Sequence, residues 1–489
     1  MPRASAPSSP QRAPVPPFTI SSTGISTTAS ASPPTTCRPR SPGISPTSPA
    51  RSAPASADPT HVGGDTVTIT PDELHDTATD AAWTRGRVGL WLIGARGSVA
   101  TTAAVGVQAL AARIAPPTGC ATAGPGFAGV PLPGFDQIVI GGHDVSTMPI
   151  ARRAEALADV GMLPAGVVAE AHRALGAIDA EIRPGYDPAT DTGSQADAVR
   201  RLSDDITAFR ARHHLAHVVV VDVSSTEALP EDRPEFHDPE LLVAALADPE
   251  QQILPASSVA ALAAVESGSA YACFTPSTGL WLPALLTIAE RRGIPYAGQD
   301  GKTGETLLRT VLAPMFTERG MHVRSWAGTN LLGGGDGATL ADPEAVRSKL
   351  VSKNRGLISL VGDHVVAPLH IDNVPDLGDV KTAWDHVHVE GFLSTRITLQ
   401  TTWSAYDSML AAPLVIDLAR LLSLADAAGH HGVLPALGFF FKDPWGSDVH
   451  AFADQATALR SWASETGLAV AATSVPAAAA PAVAIGGAR

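Results

Sequence analysis

The stretch "HVVVVDVSSTE" at residues 217–227 constrains the fold of this chain more than any other. Its near-continuous β-branched run has no polar face. As a strand it must be covered on both sides, which is the situation of a parallel sheet sandwiched between helices. "RVGLWLIG" (87–94) and "DQIVIGGHD" (136–144) make the same demand, and each ends in glycine. Between such runs lie helical rhythms: "ARGSVATTAAVGVQALAARI", "LPAGVVAEAHRALGAIDAEI" and "DAVRRLSDDITAFRARHHL". "ASSVAALAAVESG", "YACFTPS", "LWLPALLTIAERRG" and "PYAG" continue the series. This alternation predicts an α/β fold with a Rossmann-like doubly wound parallel sheet.

The two ends read differently. Residues 1 to about 65 are Ser, Pro, Thr and Ala with almost no large apolar side chains. Such a segment buries too little surface to offset its ordering entropy and is predicted to be disordered, as is the terminal stretch 473–489. After about residue 303 the texture changes again. A helix, "TGETLLRTVLAPMFTERG", leads to the alternating runs "DHVVAPLHID", "AWDHVHVEGFL" and "STRITLQTTWS". These predict a mostly antiparallel second sheet with one exposed or interface face. "SMLAAPLVIDLARLLSLADAAG" then returns to helix.

Charge narrows the partners. Lys and Arg total 34 against 48 for Asp and Glu, a formal net charge of −14. Neither nucleic acid nor an anionic membrane would meet a broad basic face, although a local pocket for a small anion is compatible with this balance. The three cysteines, Cys37, Cys120 and Cys273, have no metal-ligand spacing, which predicts a reduced, cytoplasmic setting, no disulfide framework and no metal site. No apolar run approaches the roughly 18 residues of a membrane span, and the start lacks an apolar signal-peptide segment.

Two regions carry candidate chemistry. "IGARGSVATTA" is strand, glycine turn and helix, an arrangement that places a dinucleotide pyrophosphate at a helix N-terminus. Gly94 and Gly97 give only G-x-x-G, so an ordinary strand-to-helix turn stays open beside that reading. Arg96 in this turn would face a phosphate or solvent, and Asp144 closes "VIGGHD" where a carboxylate can accept ribose hydroxyls. The second region is marked by lysine. Of the 34 basic residues only five are Lys: Lys302, Lys349, Lys353, Lys381 and Lys442. A chain that writes its surface cations as Arg should retain Lys where a compact, titratable ammonium is required, beside a developing oxyanion or a proton in transit. Lys349 and Lys353 are four apart and share a helix face if that segment is helical. "DGKTGET" is not a P-loop, since G-x-x-x-x-G-K-[ST] would need Gly where Tyr296 stands. Its Gly-rich turn into a helix suits a phosphate monoester or, in the plainer reading, is an N-cap at Thr303. These lysines are expected to gather around one anionic ligand.

The stretches "GTNLLGGGDG", "RSKLVSK", "LGDVK", "DSMLAAPLVIDL" and "FFFKDP", with "QDGKTGET", "IGARGSVA" and "GGHD", resemble the myo-inositol-1-phosphate synthase family over about residues 86–460. The resemblance implies an NAD-binding Rossmann-like domain at 86–304, an inserted α+β catalytic and tetramer-forming domain at 305–410, and a return segment at 411–470. It implies NAD as catalytic cofactor, D-glucose 6-phosphate as the sugar phosphate substrate, 1D-myo-inositol 3-phosphate as product and a homotetramer. Its chemistry is oxidation at C5, enolisation, aldol closure of C6 on C1, and reduction. By the same resemblance Lys349, Lys353, Lys381 and Lys442 are catalytic, and Thr303, Gly304, Thr306 and Lys353 hold the substrate phosphate. Gly94, Ala95, Arg96, Gly97, Ser98, Asp144, Ser225, Asp300, Asp336, Asp379 and Asp407 lie at the cofactor or the lysines. The chain departs from the family at Gly334-Gly335, where Asn-Asn is usual, and at the "ARGS" turn. Two alternatives stay open: a related carbasugar-phosphate cyclase acting on fructose 6-phosphate, and an inactive NAD-binding scaffold.

Overall fold

A computed structural model describes residues 86–333 and 356–474. The two predicted disordered tails, Asp336, Lys349, Lys353 and the Gly334-Gly335 pair lie outside the described residues, apart from the end of the last helix.

The apolar runs form one seven-stranded sheet. Its strands are β1 (Val88–Ile93), β2 (Ile138–Asp144), β3 (Ile182–Pro184), β4 (His217–Asp222), β5 (Ala270–Cys273), β6 (Pro295–Gly298) and a late strand, Gly432–Val433. The spatial order is Gly432–Val433, β6, β5, β4, β1, β2, β3, and every pairing is parallel. Val88 pairs with Ile138 on one side and His217 on the other. All six residues of β1 are buried, as the lack of a polar face requires. Strand order reverses at β1: the chain first moves outward through β2 and β3, then returns to place β4 on the opposite side. The crevice beyond the carboxyl ends of β1, β2 and β4 is therefore where a ligand is expected in such a sheet.

Beyond the helix Glu305–Thr317 lies a four-stranded sheet of β7 (His322–Leu332), β8 (Leu369–Asn373), β9 (Val380–Glu390) and β10 (Arg396–Tyr406), in the order β10, β9, β7, β8. The pairs β10–β9 and β9–β7 are antiparallel and β7–β8 is parallel. Residues of β10 alternate between exposed and half-buried, consistent with one solvated face. The other side packs Trp326, Val387 and Val389 against Ala313 and Phe316 of the preceding helix. Numbering the late parallel strand β11 completes the series.

The helix Asp407–Ala427 corrects one sequence expectation. It is 21 residues long and apolar enough to cross a bilayer by length and composition alone. Its environment explains the composition: every residue from Val415 to Ala425 is buried, with the helix Ser98–Ala111 and strands β4, β5 and β6 among its neighbours. Being covered nearly all round, it is apolar all round. Its polar residues are held internally. Asp417 accepts from the Ala121 amide at 2.6 Å and from the Thr122 amide at 3.2 Å, and Arg420 Nε donates to the Pro133 carbonyl at 2.8 Å. Burial raises the Asp417 carboxyl from 3.8 to about 6.

Candidate active site

The glycine turn after β1 is built for close approach. Gly94 has φ +79°, and a Cβ there would sit 2.8 Å from Ser224 Cα, so the position requires glycine. The Gly94 and Ala95 amides both donate to the His143 carbonyl, at 2.9 and 3.1 Å. The Arg96 amide donates to Asp144 Oδ2 at 2.6 Å. The turn thus hangs from the end of β2. Gly97 is the N-cap of the helix Ser98–Ala111 and supplies no side-chain acceptor, so the first helical amides are left for a ligand. A crevice of about 620 Å³ is lined by Gly94, Arg96, Gly97, Asp144 and Ser225, among others.

The Arg96 guanidinium lines the crevice while held by protein groups on two of its nitrogens. Its Nε donates to Asp179 at 3.1 Å and its NH1 to the Ser146 carbonyl at 2.9 Å. A chain whose turn reads "ARGS" cannot reveal that Asp179, 83 residues away, claims the charge.

A second cavity of about 260 Å³ adjoins the crevice, and the two share Gly97, Arg153 and Val223–Thr226 as lining. Ser98, Asp300, Thr303, Asp379, Lys381, Asp407 and Lys442 also line the second cavity. Lys381 comes from β9 and donates to Asp407 Oδ2 at 2.6 Å. Lys442 follows the 3-10 turn Pro435–Phe440 and donates to Asp300 Oδ1 at 2.7 Å. Asp300 has φ +61°, in the left-handed region that Asp tolerates better than most residues. Its carbonyl accepts the Lys442 amide at 2.7 Å, so backbone and side chain clamp the same two residues together. Each ammonium therefore reaches the cavity with a carboxylate holding it in place.

The turn after Asp300 divides its residues between two sides. Gly301 and Thr303 line the cavity, and Gly304 is the N-cap of the helix Glu305–Thr317. Thr306 is buried, and its Oγ1 has no hydrogen-bond partner among the described residues. Lys302 faces away, which corrects the expectation that all five lysines gather around one anionic ligand. It is buried, with Nζ donating to Gln455 Oε1 and lying 6.0 Å from the centre of the Phe439 ring. Burial without a carboxylate pulls its pKa from 10.5 to about 7.

Beneath the crevice, Asp222 ends β4 fully buried. Its Oδ1 accepts the Ser224 amide at 3.0 Å and the Ser224 hydroxyl at 2.6 Å. Burial raises this carboxyl from 3.8 to about 6. A folded-state pKa above the unfolded one means that the folded chain binds the proton more tightly. The associated stability is complete below the unfolded value and is lost as pH rises through about 6. Asp222→Asn keeps both acceptor contacts without the charge. Its melting temperature should fall less than the parent's between pH 5 and 7 at fixed ionic strength; parallel curves would contradict this assignment.

Fold and site together define a Rossmann-type nucleotide-dependent enzyme whose second sheet brings polar groups against the cofactor crevice. Comparison with known proteins identifies it further. An NAD-binding family model described as myo-inositol-1-phosphate synthase matches residues 88–463. The chain is 30% identical over 391 residues to an inositol-3-phosphate synthase 1 of Bacteroides thetaiotaomicron, covering 75% of this chain and 91% of that one. It is 32% identical over 316 residues to the inositol-3-phosphate synthase of Trypanosoma brucei brucei, covering 60% and 59%. Its fold resembles the crystal structure of inositol-3-phosphate synthase from Caenorhabditis elegans, with TM-score 0.69 and 23% identity over 78% of this chain and 86% of that one. A myo-inositol-1-phosphate synthase-related protein from Thermotoga maritima gives TM-score 0.62 and 22% identity over 77% and 98%. The chain belongs to the myo-inositol-1-phosphate synthase family, and its cofactor is NAD. The residues fit that cofactor: a glycine turn with no room for a Cβ, uncapped helix amides for the pyrophosphate, and Asp144 at the end of β2 for a ribose.

Arg153 is the residue sequence reasoning missed. It lines both cavities and donates from NH2 to Ser98 Oγ at 2.7 Å. It is one arginine among 29 and sits in "ARRAEALAD" with no local signal to single it out.

Proposed function

We propose that this chain converts D-glucose 6-phosphate to 1D-myo-inositol 3-phosphate. The observation that carries the reading is the convergence of Lys381 and Lys442 on one cavity that shares a wall with the NAD crevice. Bound NAD supplies reversible oxidation and reduction of a substrate secondary alcohol.

The remaining work falls to side chains. The turn Gly301–Gly304 and the amides opening the helix Glu305–Thr317 hold the substrate phosphate, where exposed N–H groups and the helix dipole favour an anion. Lys381 and Lys442 meet the oxygens that gain negative charge as the C5 ketone enolises and as C6 closes on C1. Such a preorganised donor is typically worth about 10²–10³ in rate. Asp407 and Asp300 aim the two ammonium groups, and either pair can release and recover a proton within one hydrogen bond. The family resemblance adds Lys349 and Lys353. The homotetramer belongs to the same reading: Phe392 and Leu393, at the hairpin between β9 and β10, are 85% and 83% exposed, which supports burial against another copy.

Incubation of the purified chain with glucose 6-phosphate and NAD should yield an inositol phosphate identifiable by NMR, with no net NADH because each oxidation is reversed. Fructose 6-phosphate offered in parallel should give no carbocycle. NADH accumulating with turnover would identify an ordinary dehydrogenase, and absence of product from glucose 6-phosphate despite bound NAD would overturn the proposal.

A further inference from the structure

Two arginines flank the dinucleotide turn, and the structure divides their labour. Arg96, inside the turn, is committed to Asp179 and the Ser146 carbonyl. Arg153, on the helix Ile150–Asp159, reaches the turn from outside and touches Ser98. Its neighbour Arg152 is exposed and pairs with Glu155 at 2.8 Å. Arg153 forms no ion pair with any described carboxylate, although it is half-buried. A guanidinium has five N–H donors, and a single serine hydroxyl satisfies one of them. Partial burial of an unpaired charge is costly unless an anion comes to it. Because Ser98 Oγ accepts from Arg153, the serine O–H is left to donate to something else.

The position of Arg153 states which anion. It is shared by the lining of both cavities, together with Gly97 and Val223–Thr226. A dinucleotide passing from the larger crevice to the smaller cavity must cross that shared wall with its middle, which is the pyrophosphate. Ser98 and Val99, which open the helix Ser98–Ala111 with no side-chain cap, line the smaller cavity together with Arg153.

We infer that Arg153 binds the NAD pyrophosphate, taking the phosphate contact that the "ARGS" turn withholds by tying Arg96 to Asp179. The inference rests on the proposed reading for its cofactor geometry but not for the sugar chemistry. A planar fork on two phosphate oxygens is a contact that a lysine cannot reproduce.

The test is direct binding, measured by calorimetry on the full chain. Arg153→Met should weaken NAD and ADP-ribose by the same factor, about tenfold or more, which corresponds to about 1.4 kcal/mol per tenfold. Adenosine, which lacks the pyrophosphate, should keep its potency as a competitor of ADP-ribose. Arg153→Lys should recover only part of the loss, and it serves as the readable variant if Arg153→Met does not fold. At saturating NAD, the KM for the sugar phosphate should stay within twofold of the parent. The inference is overturned if NAD affinity is unchanged. It is overturned also if adenosine weakens in step, which marks collapse of the turn, or if only the sugar-phosphate KM rises, which places Arg153 on the substrate. Failure of the parent chain to cyclise glucose 6-phosphate would sink the proposed function while leaving these binding results readable.

Discussion

Lys381→Met should lower the rate of inositol phosphate formation by about 10²–10³ while leaving NAD affinity near that of the parent. The ammonium is the part of β9 that reaches the smaller cavity, and Asp407 Oδ2, 2.6 Å away, fixes where it points. Methionine keeps the length and apolar stem of lysine and removes the charge and the proton. Lys381→Arg should fail to restore turnover, because a broad fork that stays charged is no substitute for a compact donor that can release a proton. Single-turnover product analysis with NAD titrated separately checks both statements. Retention of more than a tenth of the parent rate would remove Lys381 from the chemistry. A matching fall in NAD affinity would make its role one of shape.

Arg309→Met should destabilise the fold by about 3–5 kcal/mol, because it strands buried carboxylates. Arg309 pairs with Glu305 and lies 3.3 Å from Asp385 Oδ1, and all three residues are buried. Trp326 Nε1 donates to Asp385 at 2.8 Å, and Asn330 donates to Glu305 at 3.1 Å. Burial, with the Glu305 charge adding to it, raises the Asp385 carboxyl from 3.8 to about 6. Removing the arginine raises it further, so the folded variant must either protonate or bury an uncompensated anion. Stability is therefore retained at low pH and lost as pH rises through the raised value. Denaturant midpoints should show a deficit that is largest near pH 8 and shrinks toward pH 5. Adding Asp385→Asn should recover part of it. A deficit below about 1 kcal/mol, or one independent of pH, would contradict the charge argument. Glu305 begins the helix that follows the proposed phosphate turn, so sugar-phosphate KM should rise before unfolding becomes measurable.

The contrast between legible and illegible features has a physical basis. Strands β1, β2 and β4 could be read from sequence because strands covered on both faces fill almost wholly with apolar residues, the buried His143 and Asp222 near the ends of β2 and β4 excepted. Strands β3 and β11, three and two residues long, carry too little pattern to announce themselves. The helix Asp407–Ala427 was recognisable as a helix, but its position under the parallel sheet is a matter of tertiary topology. The scarcity of lysine singled out Lys381 and Lys442, which line one cavity. It reports no direction, however. Lys302 shares the same scarcity, and the alternation of the turn sends Gly301 and Thr303 to one side and Lys302 to the other. Arg153 escaped notice for the converse reason: in a chain rich in arginine, only its unmet donors distinguish it.

Asp407 opens the helix whose later turns are locked into the cofactor-binding layer. The acid that aims Lys381 sits six residues ahead of Pro413, at the end of that helix where it is least buried. A rod anchored along most of its length carries it, and a slip of one residue would swing the carboxylate about 100° around the axis. Sugar preference in relatives of this chain should therefore drift through loops and side chains facing the cavity, while the phase of this rod stays fixed.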